Sequence, residues 1–319
     1  MKGQNIYQQL PRPFFVLAPL DDVTDTVFRQ IVIRAARPDL MVTEFVNADG
    51  FCSKGRDKVA QKLRFTPAEQ PLIAQIWGLK PENFYETAKA VKEMGFVGID
   101  LNMGCPERKV LKRGACAALI SNPSLAAEMI AAVRRAVGPD FPVSVKTRIG
   151  LKEIITEEWI GFLLAQNLDA LTVHLRTAAE MSLVPAHYEE LAKVVALRNK
   201  IAPKTVIIAN GDIATTAEGR ALAKKYGVEG AMIGRGIFHN PFVFAKDGKV
   251  PTQQELFSLL LDHLNLHEQT WGNAKTYQPL KRFFKIYVKD FDGAAALRDA
   301  LMKTTAHQQA RELILQSVS

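Results

Sequence analysis

One cysteine in the sequence stands where a thiol could do chemistry. Cys105 lies in the stretch DLNMGCP (100–106), directly after an apolar run and before a proline. Its thiol could act as a nucleophile, a metal ligand, a proton donor or a buried small side chain, and His174 is a candidate base for the first role. A zinc site would need further Cys or His at ligand spacing, and none is seen, so we expect no metal. The residues leave the choice between nucleophile and acid open.

Two glycine-rich stretches indicate a phosphate site. The sequences NGD (210–212) and GRG (234–236) each follow an apolar run. Glycines permit close approach of the backbone to a ligand, and Arg235 could complement a phosphate charge. This pattern predicts a phosphorylated ligand without specifying which one.

Eight short apolar or β-branched runs must position these residues. They alternate with stretches of helical periodicity such as 81–95 and 122–138. The alternation predicts an α/β protein with a TIM (β/α)8 barrel. A doubly wound open sheet is the alternative, but no G-x-G-x-x-G follows the first run, which weakens it. The predicted strands are 14–18, 40–46, 71–77, 97–102, 142–146, 169–175, 205–210 and 230–234.

In such a barrel the chemistry is located where strands end and βα loops begin. The predicted strand ends carry polar side chains of different types, and a charged side chain buried there needs a partner. Any single one is most simply a satisfied residue of the barrel rim, whereas six polar ends together favour a functional site. Besides the two glycine-rich stretches, the strand-end residues are Pro19, Leu20, Asp21, Gln75, Asn102, Cys105, Lys146, Arg148, His174 and Arg176.

The character of the sequence changes after residue 245. A turn-like stretch, 246–251, leads into helical periodicity with no strand pattern. We therefore predict a catalytic barrel domain over 1–245 and a C-terminal all-helical domain over 251–319.

The chain is basic, with 41 Lys and Arg against 33 Asp and Glu, a net charge of +8 and a pI near 9.3. Such an excess fits a polyanionic partner such as nucleic acid. Five basic and no acidic residues occur between Lys275 and Lys289, and a continuous helix would place Lys281, Lys285 and Lys289 on one face. An amphipathic helix with a solvated basic face is the simpler interpretation, and an RNA-binding surface is the functional one.

Other features bear on where the protein works. No apolar run approaches the roughly 18 residues of a membrane-spanning helix, and the first residues lack a secretory apolar core. Three cysteines are too few for a disulfide framework. We expect a monomeric protein of the reducing cytoplasm with no membrane partner.

Seven stretches together resemble the tRNA-dihydrouridine synthase family, in order along nearly the whole chain from residue 14. The stretch around Cys105 and the Lys-x-Arg pattern of Lys146 and Arg148 are the most specific. The matching stretches are LAPLDDVTDTVFR (17–29), VTEFV (42–46), DLNMGCP (100–106), SVKTRIG (144–150), VHLRT (173–177), ANGDI (209–213) and MIGRGIF (232–238).

The resemblance implies a flavin reductase that acts on RNA. It implies that FMN lies across the barrel mouth, that NADPH reduces it, and that hydride passes to C6 of a uracil in tRNA. It also implies that Cys105 is the acid that protonates C5. A neutral thiol, with a reference pKa of about 8.5, is a feasible proton donor at physiological pH.

The resemblance further implies site residues at matching positions. Lys146 is expected near the N1–C2 edge of the flavin, where the reduced ring carries negative charge. Gln75 is expected to hydrogen-bond the ring edge. The other expected cofactor contacts are Ala18, Pro19, Leu20, His174, Asn210, Gly211, Asp212, Gly234 and Arg235. The substrate contacts that the resemblance implies are Asn102 and Arg148. To these we add Arg176 at the end of the sixth strand, and Lys281 and Lys285 of the basic stretch.

The sequence departs from the family pattern at two places. Leu20 stands where methionine is usual, which is a near-isosteric change. After the sixth strand, Leu175 replaces a glycine and Ser182 replaces an aromatic residue. Loss of aromatic stacking, worth about 1–3 kcal/mol per base, leaves open which uridine, or which RNA, is reduced.

Two other classes of protein share part of this pattern. A flavin barrel that acts on a free pyrimidine, such as a dihydroorotate or dihydropyrimidine dehydrogenase, has the same barrel and similar chemistry. The basic helical region, together with Lys146 and Arg148, favours RNA over this alternative. A non-catalytic RNA-binding protein on a barrel is disfavoured by the presence of Cys105, Lys146 and His174 in one chain.

Overall fold

The sheet of this protein closes into a parallel barrel. The computed structural model describes residues 5–245, 248–272 and 274–317. Its strands pair in sequence order, and the first also pairs with the eighth. The fold class predicted from the sequence is therefore confirmed. The strands are β1 Phe14–Leu17, β2 Leu40–Asn47, β3 Leu72–Trp77, β4 Gly98–Met103, β5 Val143–Gly150, β6 Ala170–Thr177, β7 Val206–Asn210 and β8 Gly230–Ile233.

Helices separate the strands and continue after the last one. In the described residues the α-helices are α1 Ile6–Gln9, α2 Thr26–Ala35, α3 Ala48–Phe51, α4 Arg56–Ala60, α5 Pro81–Glu93, α6 Arg108–Leu111, α7 Pro123–Val137, α8 Thr156–Leu164, α9 Glu190–Ile201, α10 Thr216–Tyr226, α11 Gly236–His239, α12 Gln253–Trp271, α13 Phe284–Tyr287, α14 Ala294–Lys303 and α15 His307–Gln316. The 3-10 helices are Gln61–Leu63, Pro67–Glu69, Cys116–Ser121 and Gln278–Phe283.

Local sequence explains where these helices start and stop. The side chain of Asn122 caps α7, Pro123 occupies its first turn, and Gly138 ends it with φ of +79°. Thr252 and Glu255 form a capping box at the start of α12.

No single helix of the described segments is long and apolar enough to cross a membrane. The pair 108–121 and 123–137, bent by 90°, passes that test together on length and composition alone.

β5 and β6 are longer than the sequence pattern predicted, and they run into the barrel mouth. Arg148 and Arg176 therefore lie within β5 and β6, as Lys146 and His174 do, and not in the loops that follow. Alternate residues of a strand point to the same side, so the two named residues of each strand share one face. The register sets Asn102 of β4 beside Lys146, and Arg148 beside His174.

The C-terminal helices pack on the outside of the barrel. α12 contacts α2, and residues of both belong to one hydrophobic core. Phe283 stacks on Phe28 of α2 with ring centroids 5.0 Å apart. Where this aromatic segment meets α2, the chain forms a 3-10 helix followed by the single turn α13, so the predicted continuous basic helix is wrong.

Because the segment is not one continuous helix, Lys281 does not lie on an exposed basic face. Its side chain is buried, and its ammonium donates a hydrogen bond of 2.9 Å to the carbonyl oxygen of Met302. The three lysines therefore do not share one exposed face, because Lys281 is buried, Lys289 is partly buried and only Lys285 is exposed.

The division into domains at 1–245 and 251–319 stays a prediction. Residues 1–4 and 318–319 of those ranges, and residues 246–247 of the predicted turn, lie outside the described residues.

A fully buried ion pair joins α2 to the 3-10 helix Pro67–Glu69. The Nε of Arg29 donates to the Glu69 carboxylate at 2.7 Å, and both side chains are 0% exposed. Glu69 also accepts from Thr26 Oγ1 at 2.6 Å, and Arg29 donates to the carbonyl oxygens of Thr24 and Arg64.

We expect Glu69→Gln to lower the free energy of unfolding by about 3–5 kcal/mol, because it leaves the Arg29 charge buried and unpaired. Denaturant-induced unfolding measures this loss. Glu255→Gln, in the exposed capping box of α12, is the matched control and should cost much less. Equal losses in the two variants would contradict the importance of the buried pair.

Candidate active site

A cavity of about 360 Å³ opens at the carboxyl ends of the barrel strands. Ligand sites of this fold lie at this end, and roughly 300–1,000 Å³ is typical of small-molecule sites. Every residue that we expected to contact the cofactor lines the cavity, except Gln75. Gly236, from the second glycine-rich stretch, also lines the cavity. Sequence reasoning missed further lining residues, which are Ile213, Ala214, Met232 and His239. Most of these residues lie within a few positions of predicted ones, so extending each predicted strand end by a few residues would have included them.

Lys146 brings a cation to this cavity. Within the described residues its ammonium has no hydrogen-bond or ion-pair partner, although it lines the cavity wall. Burial, followed by the nearby charge of Arg148, lowers the pKa of Lys146 to about 8. At neutral pH it remains mostly protonated, so the cavity presents a positive charge that an anionic ligand would satisfy.

A chain of polar contacts runs beside the cavity from β6 to the loops after β7 and β8. Arg176 lies in contact with His174 Nε2 at 3.2 Å and forms an ion pair with Asp212, which in turn pairs with Arg235 at 2.7 Å. Burial lowers the pKa of His174, so the ring is neutral. Because arginine can only donate, His174 accepts at Nε2 and carries its proton on Nδ1. Arg176, which we expected at the substrate, is 1% exposed and organises this chain of contacts instead.

The two glycine-rich stretches bring backbone close to the cavity. Gly211 has φ of +119°, which favours glycine, and its carbonyl oxygen accepts from Tyr188 Oη at 2.7 Å. A Cβ at Gly236 would lie 2.6 Å from the carbonyl oxygen of Ala214. Only glycine fits there without movement, so the loop after β8 packs closely against the loop after β7.

Cys105 lies just after β4, on a loop held by one carboxamide. Asn102 Oδ1 accepts from the backbone amides of Gly104 at 3.1 Å and Cys105 at 3.0 Å. Burial raises the pKa of the half-buried Cys105 thiol, so the group stays protonated at neutral pH. Cys116 is buried, and Cys52 is exposed, with its Sγ 3.6 Å from the carbonyl oxygen of Asn83 at the start of α5.

A chain of buried hydrogen bonds supports this carboxamide from inside the barrel. Asn102 Nδ2 donates to Gln75 Oε1 at 3.0 Å, and Gln75 Nε2 donates to Asp100 Oδ2 at 2.7 Å. The other oxygen of Asp100 accepts from Ser144 Oγ at 2.6 Å, and Ser144 accepts from Tyr7 Oη at 2.9 Å. The side chains of Gln75 and Asn102 thus bond to each other, and that of Gln75 also bonds to Asp100, within the protein. Sequence reasoning missed this chain of hydrogen bonds, although Asp100, a charged residue in an apolar strand, was a signal for it.

The two departures from the family pattern at β6 differ in consequence. Leu175 is fully buried in the hydrophobic core, on the opposite side of the strand from His174. It therefore leaves the cavity wall unchanged. Ser182, by contrast, lies in the exposed part of the loop after β6, next to Met181, whose exposure is 41%.

An acidic cluster lies beside the mouth, on the β1 loop and at β2. Ligand oxygens of Asp21, Asp22 and Glu44 lie within 4.8 Å of one another. Lys62 forms ion pairs with all three, including one of 3.8 Å to Glu44, and supplies the local positive charge. Burial raises the pKa of Glu44 to about 7.

The C-terminal segment reaches the rim of the same cavity. Arg282 donates to the carbonyl oxygen of Asp22 in the β1 loop at 3.0 Å, and Lys289 donates to that of His239, which lines the cavity. Lys285 lies between these two contacts along the chain, with its side chain exposed.

Comparison with known proteins gives consistent results. The family model described as dihydrouridine synthase matches residues 16–319. The chain is 47% identical over 314 residues to a probable tRNA-dihydrouridine synthase 2 of Bacillus subtilis, covering 98% of this chain and 96% of that one. It is 48% identical over 314 residues to a probable tRNA-dihydrouridine synthase of Staphylococcus aureus, covering 98% and 95%. A solved 2-naphthoyl-CoA reductase, 12% identical with a TM-score of 0.57, matches 77% of this chain and 51% of that chain, which shows likeness of fold alone.

The lowered pKa of Lys146 makes stability depend on pH. Between pH of about 8 and about 10.4 the folded amine has lost a proton that the unfolded chain keeps. The free energy of unfolding should therefore rise with pH in this window, by at most about 1.4 kcal/mol per pH unit. The Lys146→Met variant lacks the titrating amine, so its free energy of unfolding lacks this dependence on pH. Denaturant unfolding of both cofactor-free proteins should show their difference changing with pH, and a constant difference would contradict the lowered pKa.

Proposed function

The chain belongs to the dihydrouridine synthase family, and from that premise we propose that it uses FMN and NADPH to reduce uridines of tRNA to dihydrouridine. The observation that carries the proposal is the Lys146 ammonium in the cavity at the barrel mouth, with which no described residue forms a hydrogen bond or ion pair. A cation without a counter-ion at a ligand site calls for an anionic or electron-rich ligand, and a flavin mononucleotide supplies both a phosphate and such a ring.

The residues around the cavity fit FMN. Gly211, Gly234 and Gly236 allow a phosphate to approach the backbone, and the exposed guanidinium of Arg235 complements its charge. Lys146 would face the ring edge, and His174 offers a neutral ring with its proton on Nδ1. When bound, FMN supplies the hydride that adds to C6 of the uracil.

Cys105 completes the reaction as the acid. The C5=C6 bond of uracil is conjugated to the C4 carbonyl, so addition at C6 places negative charge on C5 and O4. The protonated Cys105 thiol donates its proton to C5, and its raised pKa keeps that proton available at neutral pH. Asn102 holds the loop that places Sγ, so its role in this proposal is to position the acid.

The helical region supplies part of the RNA surface. Arg282 and Lys289 fasten the segment 278–289 to the rim of the cavity, which leaves Lys285 free to meet a phosphate beside it. Lys281, whose ammonium is bonded to a carbonyl oxygen, is left out of this surface. In this proposal 251–319 is an RNA-binding domain on the catalytic barrel.

The direct test uses purified protein with FMN, NADPH and tRNA from a strain that lacks dihydrouridine synthases. We expect the protein to retain a yellow flavin and to form dihydrouridine at defined positions, mapped by mass spectrometry of RNA fragments. Absence of flavin, or turnover of dihydroorotate or free uracil with none of tRNA, would overturn the proposal.

Cys105→Ala should keep flavin and its reduction by NADPH but lose dihydrouridine formation, by about 10²–10⁴-fold, because it removes the proton donor. Stopped-flow absorbance follows flavin reduction, and nucleoside analysis follows the product. Cys52→Ala, at an exposed thiol away from the cavity, is the control and should behave as wild type. Full tRNA reduction by Cys105→Ala would remove the thiol from the mechanism.

Lys285→Ala should weaken tRNA binding at low salt and reduce the slope of log affinity against log salt by about one, as expected for one lost phosphate contact. Filter binding or fluorescence anisotropy over a salt series measures both quantities. Lys200→Ala, at an exposed lysine of α9 near the opposite end of the barrel, is the control. An unchanged slope for Lys285→Ala would place the RNA elsewhere.

A further inference from the structure

Arg148 has an unusual set of partners for a residue at an active-site mouth. Its Nε donates to the carbonyl oxygen of Gly104 at 2.9 Å, and its Nη1 donates to those of Thr177 at 2.8 Å and Met181 at 2.9 Å. The residue is 5% exposed, and within the described residues it forms no ion pair. Three neutral carbonyl groups therefore hold one buried guanidinium.

These three acceptors belong to two separate parts of the mouth. Gly104 immediately precedes Cys105, whereas Thr177 ends β6 and Met181 lies in the loop that follows. A guanidinium is planar and its donors have a fixed geometry, so three bonds to it set the distance between the parts they join. Arg148 thus ties the Cys105 loop to the β6 loop.

The β6 loop is held in a conformation that needs such a tie. Met181 has φ of +51°, in the left-handed region that side-chain-bearing residues seldom adopt. Its side chain is 41% exposed and that of Leu183 is 83% exposed, so this part of the loop has little packing of its own. The bond from Arg148 to the Met181 carbonyl oxygen is one of the contacts that maintain it.

We propose that Arg148 is a positioning residue, which holds Cys105 at a set distance from the β6 loop through its bonds to Gly104, Thr177 and Met181. This inference rests on the proposed function, in which Cys105 delivers a proton to the substrate. In this proposal Arg148 binds the protein's own backbone, whereas the resemblance implied that it contacts the uracil.

Arg148→Lys tests the proposal, because lysine keeps the charge but cannot span three carbonyl groups with a rigid fork. We expect kcat for tRNA to fall on the order of 10²-fold, the effect of a displacement of about 1 Å, with flavin content unchanged. Release of the loop should also expose the thiol. Alkylation of Cys105 by iodoacetamide in the flavin-loaded protein should become faster, and its pH profile should move to lower pH.

Two references make the alkylation result specific. Cys52, exposed in the same molecule, gives an internal rate by peptide mass spectrometry. Arg198→Lys is the matched variant, because Arg198 is a buried arginine that bonds the carbonyl oxygen of Thr205 and the carboxylate of Glu229 at the opposite end of the barrel. It should lose stability without changing Cys105 alkylation. If the lysine variant does not fold, Arg148→Gln leaves no unpaired charge and carries the same test.

The outcomes separate the possible roles of Arg148. Reduced kcat with altered Cys105 alkylation, and neither change in Arg198→Lys, supports positioning. Reduced kcat with unchanged alkylation means that Arg148 acts on the substrate directly and overturns the inference, as would the same alkylation change in both variants. If Cys105→Ala retained full activity, the proposed function would fail, while alkylation would still report whether Arg148 holds the loop.

Discussion

The carboxamide of Asn102 holds the backbone amides of Gly104 and Cys105, and its orientation is decided deeper in the barrel. Burial raises the pKa of Asp100 to about 6, so this carboxylate is still ionised at neutral pH and can only accept hydrogen bonds. Gln75 must therefore turn its NH2 group toward Asp100 and its oxygen toward Asn102. Asn102 then turns its own oxygen toward the loop, so one buried carboxylate sets the orientation of the carboxamide that bonds the Cys105 loop.

The basic side chains of the mouth divide into two kinds. Arg148 and Arg176 keep their charge when buried, and their donors are used on backbone oxygens and on Asp212. Lys146 is a compact charge with no such partner in the part of the chain that the structure describes, and its lowered pKa lies near the physiological range. The arginines thus hold the loops around the cavity, whereas the lysine leaves its charge available to a ligand.

Variation from the family pattern falls where the fold tolerates it. Leu175 occupies the outer side of β6, where packing against the surrounding helices accommodates a larger apolar side chain. The aromatic residue expected at Ser182 would lie in an exposed loop, not in the barrel. Because Lys146 and His174 stand on the strands themselves, such loop changes alter what meets the substrate at the rim and leave the cavity intact.

Alternation of apolar runs with helical stretches was enough to predict the barrel, and barrel topology alone brings the ends of β1 and β5–β8 to one cavity. Residue types and spacing thereby determined which side chains gather there. They did not determine what each side chain bonds, because those partners are distant in sequence, as Arg148 and Met181 are. Periodicity reports which side of an element faces inward, whereas hydrogen bonds depend on contacts that form only when the chain closes. The burial of Lys281 and the inward bonds of Gln75 were therefore decided by tertiary structure.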